Sequence, residues 1–355
     1  MKIGILINSF NLGGAEKLMY DVSGVLYSRA IPFTLISMKR AETALELQIQ
    51  KKLTDCGYET VSVNKPVGKG RLSSVISIKK IIQKYKIDIL HTNGQSPDFY
   101  GRLAKLLLPK IKVVTTIHNT GGYSRKAETL LAPLTAVYTA VSKQAAEYAA
   151  KDLGIQKKIF IINNGIVFDR YSTNHKKNND RYIILSVGRV VQQKGYLHVV
   201  DSMCRYLESN KNAFWYIIGN ADQDKNYINN IKTRIPSHVS EKIKFCGTVT
   251  DPEEYYSKAD VFLLPSVYEG FGIAFIEAMA AKLPVICNDV GVILDIKKAG
   301  GKVITLKYKS IAECIDEAIQ FKQEWLDFNY EYCRKNYSIE AVTDKYTEIY
   351  KSCMR

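Results

Sequence analysis

The sequence predicts an α/β protein of two parallel-sheet domains facing a cleft. Three observations carry this. The 355 residues exceed one ordinary domain and suit two. Short Val- and Ile-rich runs alternate with longer stretches of helical periodicity, the pattern of a parallel sheet covered on both faces. That pattern breaks once, at the polar stretch STNHKKNND (172–180), and then restarts.

The elements follow in order. KIGILIN (2–8) is a short apolar run before a Gly-containing loop, and a helical stretch runs from about Ala15 to Ser28. PFTLISM (32–38), TVSVN (60–64), IDILHTN (87–93), KVVTTIH (112–118), TAVYTAVS (135–142) and KIFIINNG (158–165) read as further strands. After the break come YIILSVGR (182–189), FWYIIGN (214–220), KIKFCGT (242–248), VFLLPS (261–266), PVICND (284–289) and KVITL (302–306). The expected division is therefore a Rossmann-like domain over 1–170, a linker in 172–180, and a second Rossmann-like domain over 171–330. The segment from Trp325 to Tyr350 reads as helix, and its end, about 330–355, is expected to pack back on the first domain.

Composition narrows the function. A 46% hydrophobic and 24% charged chain is ordinary for a soluble globular protein. The N-terminal apolar run is too short for a signal peptide core, and no stretch approaches the roughly 18 apolar residues of a membrane span. Seven scattered cysteines without a CxxC pair argue against disulfides or zinc and fit a reduced cytoplasm. Residues 1–170 hold 25 Lys and Arg against 12 Asp and Glu, a net of +13; residues 171–355 hold 25 against 23, a net of +2. A field so one-sided implies an anionic partner on the first half.

Ligands of such sheets bind beyond the carboxyl ends of the strands, and the motifs fall there. After the first strand, Asn11-Leu12-Gly13-Gly14-Ala15-Glu16 lets backbone approach a ligand and opens a helix toward an anion; it reads equally as a tight turn. It is not GxGxxG, so a dinucleotide is poorly supported. After the strand at 182–189, Arg189 and Lys194 stand in a GR(x4)KG frame, two cations suited to a diphosphate. After the strand at 261–266, Glu269 and Glu277 flank Gly270-Phe271-Gly272 and a helix start. Two acids in apolar surroundings need hydrogen-bond donors, and sugar hydroxyls are donors. One glutamate stabilising a helix N-terminus is the plain alternative.

Together GGAE (13–16), GR(x4)KG (188–195) and E(x7)E around GFG resemble the retaining GT-B glycosyltransferases of family 4, over nearly the whole chain. The resemblance implies that Arg189 and Lys194 hold the donor diphosphate, that Glu277 binds the ribose, and that Glu269 faces the donor sugar. It implies sugar contacts from the backbone at Phe271, Gly272 and Ile273, closure of the Gly14 loop on the phosphates, and His118 beside the transferred sugar. It places the base in the loop after Gly219 and in the segment from about Phe245 to Val249. One departure stands out: Asp289-Val290-Gly291-Val292-Ile293-Leu294-Asp295 replaces the Gly-Gly pair of many members, and no role is carried onto it.

Cations and helix-end amides can stabilise a departing diphosphate without a metal or cofactor, and the resemblance implies retention of anomeric configuration. A glycosidase-type carboxylate pair has no use for the two cations. Asp222-Gln223-Asp224 mimics a metal-binding DxD, but reads here as an exposed loop. Two stretches are basic and amphipathic: Lys69-Gly70-Arg71 leading into LSSVISIKKIIQKYK, with Lys79, Lys80, Lys84 and Lys86 around Ile76, Ile81 and Ile82, and Phe99 to Lys112. They suit an anionic leaflet or ordinary sheet-covering helices. No aromatic-basic RNA motif appears. The expectation is a cytoplasmic enzyme at the inner face of the membrane. It would move a sugar from a nucleotide-sugar, with UDP the first choice, to a lipid-linked glycan of capsule, lipopolysaccharide or other surface polysaccharide. The alternatives are a non-catalytic scaffold of the same fold and a sugar-nucleotide epimerase.

Overall fold

A computed structural model describes residues 1–65, 71–171, 181–307 and 309–355. The expected linker at 172–180 and the Lys69-Gly70 start of the basic stretch lie outside these residues. The chain forms two compact units, Met1–Gly165 with Ile339–Arg355, and Ile166–Ser338.

Among its described residues the first unit carries seven parallel strands: β1 (Ile3–Ile7), β2 (Phe33–Ser37), β3 (Thr60–Ser62), β4 (Ile89–Asn93), β5 (Lys112–Ile117), β6 (Val137–Ala140) and β7 (Ile159–Ile161), in the order β3-β2-β1-β4-β5-β6-β7. β1, β2 and β4 are buried at every residue; β1 is accordingly apolar without alternation, while β2 and β4 also bury polar side chains, among them Thr34, Ser37, His91 and Thr92. Among its described residues the second unit carries six more: β8 (Tyr182–Val187), β9 (Ala213–Ile218), β10 (Ile243–Gly247), β11 (Val261–Leu264), β12 (Val285–Cys287) and β13 (Ile304–Thr305), ordered β10-β9-β8-β11-β12-β13. Each sheet reverses its order once, between β1 and β4 and between β8 and β11. Those switch points leave a crevice at the strand ends, where open α/β sheets take ligands.

Local signals set several helix starts. Thr43 with Glu46, and Ser310 with Glu313, form capping boxes, and Ser142 caps Lys143–Lys151. The helix Arg71–Tyr85 buries Val75, Ile78, Ile81 and Ile82 in one cluster with Tyr100 and Ala104 of the neighbouring helix Gln95–Leu107. Leu72, Ile76, Leu106 and Leu107 stay exposed. Among the described residues no helix is long and apolar enough to cross a membrane.

The C-terminal segment differs from the single helix expected. It is two helices, Gln323–Tyr337 and Ile339–Met354. Ser338 between them has extended backbone (φ −65°, ψ 151°) and pairs as a β-bridge with Ile166, whose N–H donates to the Tyr337 carbonyl at 3.0 Å. The first helix belongs to the second unit and the last to the first. There Tyr350 is hydrogen-bonded to His91 Nδ1 at 2.7 Å, and the His91 Nε2 atom lies 2.6 Å from Thr116 Oγ1.

Candidate functional site

Two loops of the second unit meet at the switch point between β8 and β11. One runs from Gly188 through the short turn Gln192–Lys194; the other runs from Pro265 to Glu269. Val267 N–H donates to the Gln193 carbonyl at 2.9 Å, and the Gln193 side-chain amide donates to the Tyr268 carbonyl at 3.0 Å. Gly195 is left-handed (φ 72°), and a Cβ there would collide with the Pro265 carbonyl oxygen. Only glycine lets the loops come this close. As a result Lys194 Nζ lies 2.5 Å from Glu269 Oε1, with side chains 13% and 7% exposed. The Ser266 hydroxyl donates to the same oxygen at 2.7 Å.

The ends of β8, β9 and β10 carry Gly188, Gly219 and Gly247. Gly188 N–H donates to the Ile218 carbonyl and Gly219 N–H to the Gly247 carbonyl, each at 2.8 Å. Gly219 has φ 143°, and a Cβ on it would strike the Gly188 carbonyl. This rim of the sheet thus carries little side-chain bulk. Arg189 projects from it, exposed, its guanidinium donating to Gln223 Oε1 at 3.0 Å. Val249, just past β10, packs half-buried on the core. Asp224 Oδ1 accepts the Tyr227 N–H at 3.0 Å and caps Lys225–Lys232, while Asp222 is exposed. Of the DxD, Asp224 is thus used locally.

Phe271 is buried against Tyr337, ring centroids 5.4 Å apart. Gly272, left-handed, precedes the helix Ile273–Ala280, which has no side-chain N-cap, so its first amides are open to a ligand. Ile273 is partly exposed. The departing loop 289–295 braces this turn: Val292 N–H donates to the Phe271 carbonyl at 2.8 Å, and a Cβ on Gly291 would come 2.9 Å from Glu269 Cβ. Sequence reasoning assigned that loop nothing. It also missed Asn288, whose amide donates to the carbonyls of Pro265 (3.2 Å) and Ser266 (3.0 Å).

Glu277 has other partners. It is 7% exposed. Tyr171 donates to its Oε1 at 2.8 Å and Tyr256 to its Oε2 at 2.9 Å. Burial, then the Glu277 charge, pushes both phenols up, so both stay protonated donors. No spacing in the chain links 171, 256 and 277, and neither tyrosine was foreseen.

In the first unit Gly14 opens the helix Gly14–Ser28, with open space over its Cα. Asn11 Oδ1 accepts the Gly13 N–H at 2.8 Å. Glu16, buried in the first turn, is pushed up by burial. His118 follows β5, half-buried, with Nε2 3.0 Å from Asn93 Oδ1. Taking that oxygen as acceptor makes Nε2 the donor and leaves Nδ1 an acceptor. Burial holds this ring down to about 4, so it is neutral at pH 7. Nearby on the next helix, Asp98 is wholly buried without a well-formed side-chain hydrogen bond, and burial pushes it up to about 8.

Comparison with known proteins matches both units. Residues 12–170 match the model of Glycosyltransferase Family 4, and residues 167–335 that of Glycosyl transferases group 1. A UDP-Gal:alpha-D-GlcNAc-diphosphoundecaprenol alpha-1,3-galactosyltransferase of Escherichia coli is 25% identical over 62% of this chain and 62% of its own length. The O-antigen biosynthesis glycosyltransferase WclY of Escherichia coli is 23% identical over 88% of this chain and 90% of its own. Among solved structures, Anabaena HepE in complex with UDP and glucose superposes with a TM-score of 0.76 at 16% identity, covering 99% of this chain and 100% of that one. The architecture of two parallel sheets is thus the GT-B fold.

Proposed function

The chain belongs to the group 1, family 4 glycosyltransferases, and on that premise we propose that it transfers a sugar, with retention, from a UDP-sugar to a lipid-linked glycan of a surface polysaccharide. The observation that carries the reading is the switch point between β8 and β11. A cation and a carboxylate are locked together there beside a glycine rim and an uncapped helix start. Arg189 and Lys194 meet the diphosphate, and the charge that develops on it as the glycosidic bond loosens is stabilised by groups already in place. Glu269 accepts from sugar hydroxyls, with backbone amides near Phe271, Gly272 and Ile273 on the same sugar. Glu277 accepts from the ribose. Gly219 and Val249 flank the base, because the low rim admits a flat ring. Gly14 admits phosphate oxygens, and neutral His118 offers Nδ1 to a sugar hydroxyl. No metal takes part in this reading.

The relatives support the nucleotide and the acceptor class. One is named for a UDP-sugar and a diphosphoundecaprenol-linked acceptor, and another for O-antigen synthesis. A lipid-linked acceptor calls for peripheral contact with an anionic leaflet at the cytoplasmic side. The net +13 of residues 1–170 and the exposed Leu72 and Ile76 beside exposed Lys80 support it. Cosedimentation with phosphatidylglycerol vesicles but not phosphatidylcholine ones tests this contact, and equal binding to both would refute it.

The main test is a donor panel. UDP-, GDP- and ADP-sugars are ranked by thermal shift, then by nucleotide release with and without a lipid-diphosphate acceptor. UDP-sugars should stabilise the protein most, and release should need acceptor. Conversion of donor to another sugar-nucleotide without acceptor would favour an epimerase, and no turnover with any donor a scaffold.

A further inference from the structure

Glu277 carries more hydrogen bonding than its assigned role requires. Resting on the donor-site reading above, we propose that Tyr171 and Tyr256 are positioning residues for the donor ribose: their hydroxyls hold the two oxygens of Glu277 so that the remaining lone pairs receive a vicinal diol.

The geometry is two-sided. Tyr171 takes one carboxylate oxygen at 2.8 Å and Tyr256 the other at 2.9 Å. A carboxylate has about four acceptor positions, two on each oxygen. Two phenols therefore leave one on each oxygen, the number that adjacent ribose hydroxyls need. Without the phenols a carboxylate could turn about its last bond, and that freedom would be lost on binding at a cost in affinity. With them, its plane is set before the nucleotide arrives.

Both donors are themselves fixed. Tyr256 ends the short helix Glu253–Tyr256 and stacks on Phe262 of β11, ring centroids 5.8 Å apart. Tyr171 meets Tyr256 edge-on at 5.4 Å, and its N–H donates to the Phe168 carbonyl at 2.9 Å. Both rings are buried, 3% and 0% exposed. Their environment keeps them protonated well above neutral pH. A purely structural reason for the cluster, joining Ile166–Tyr171 to the helix Ile273–Ala280, needs the rings. A buried carboxylate also needs donors, but the ribose role further requires that the two hydroxyls take different oxygens, as they do here.

The test separates hydroxyl from ring. Tyr171→Phe, Tyr256→Phe and Glu277→Gln are each titrated with UDP and with 2′-deoxy-UDP. The wild-type protein should prefer UDP by tenfold or more, because the site is built to bond that hydroxyl. Each Phe variant should cut the preference to threefold or less, with kcat changing less than donor KM. Tyr171→Phe serves if Tyr256→Phe fails to fold. A full UDP preference in the Phe variants, whatever their melting temperature, overturns the proposal and leaves the donor site standing. Equal binding of the two nucleotides by the wild-type protein overturns the proposal together with the ribose role of Glu277. If UDP does not bind the wild-type protein at all, the reading of the donor site falls as well.

Discussion

Lys194 and Glu269, 75 residues apart in the chain, form an almost buried ion pair 2.5 Å long across the two loops of the second switch point. Such a pair is held by its surroundings. Removing one partner leaves an unpaired buried charge, which costs about 3–5 kcal/mol where neither group can reach water. Lys194→Ala should therefore lower the stability of the second unit, by about 3 kcal/mol at most since Lys194 retains some exposure. Transfer should fall by about 10²-fold or more as the charge on the departing diphosphate loses its partner. The double variant Lys194→Met, Glu269→Gln should regain most of the stability and none of the turnover. Urea unfolding and single-turnover assays check the two effects separately, and full turnover in Lys194→Ala would sink the site assignment.

Two glycines offer the opposite contrast. Gly219→Ala forces a side chain against the Gly188 carbonyl at φ 143°, so the strand ends must shift; a loss of about 2 kcal/mol is expected. The buried Trp215 of β9 reports it by fluorescence. Gly14→Ala meets open space at the first position of a helix. It should leave melting unchanged or raise it slightly, since alanine favours helix, while donor KM rises as ligand approach is blocked. A Gly14→Ala enzyme with unchanged KM would remove Gly14 from the site.

The first unit should respond to pH through three groups, the buried His91 and Asp98 and the half-buried His118. His91 and His118 are held down by burial to about 3 and about 4, against an ordinary 6.5. Both are neutral in the fold, so below about pH 6.5 the unfolded chain binds more protons. Their contribution is whole above pH 6.5 and is lost as pH falls toward 4 and then 3, at up to about 1.4 kcal/mol per pH unit each. Asp98 is pushed up by burial to about 8 from an ordinary 3.8. Its contribution is whole below pH 3.8 and is lost as pH rises through 8. The slopes oppose, and two histidines outweigh one acid between pH 4 and 6.5. Asp98→Asn should therefore steepen the rise in stability from pH 4.5 to 6.5. Hydrogen exchange of β4 and β5 amides measures it; the two tryptophans, Trp215 and Trp325, both lie in the other unit. An unchanged slope in Asp98→Asn would show that Asp98 titrates normally.

Activity should be indifferent to EDTA. The Asp222–Asp224 motif spends Asp224 on a helix cap, and the proposed diphosphate partners are Arg189 and Lys194. Loss of transfer on chelation, restored by Mn²⁺, would return the motif to the site.

Every strand expected from the Val/Ile runs is present; the central ones stand out in the sequence because a strand buried on both faces is mostly apolar. The loops that follow them were legible for a similar reason. Cations and glycines at strand ends stand out against apolar runs, as at Gly188, Arg189 and Lys194. Less legible was Ser338. The helical pattern runs through it, whereas in the structure its extended backbone, paired with Ile166, divides the C-terminal segment in two.

The sequence by itself determined the two α/β series, the loops that carry charge, and the family to which their motifs point, because hydrophobic period and turn chemistry are local. Strand order is not local. It brings Lys194 to Glu269 and lays the 289–295 loop under Phe271. Only the tertiary structure decided that Glu277 rests between Tyr171 and Tyr256, because a buried carboxylate takes whichever donors packing delivers, at any distance along the chain.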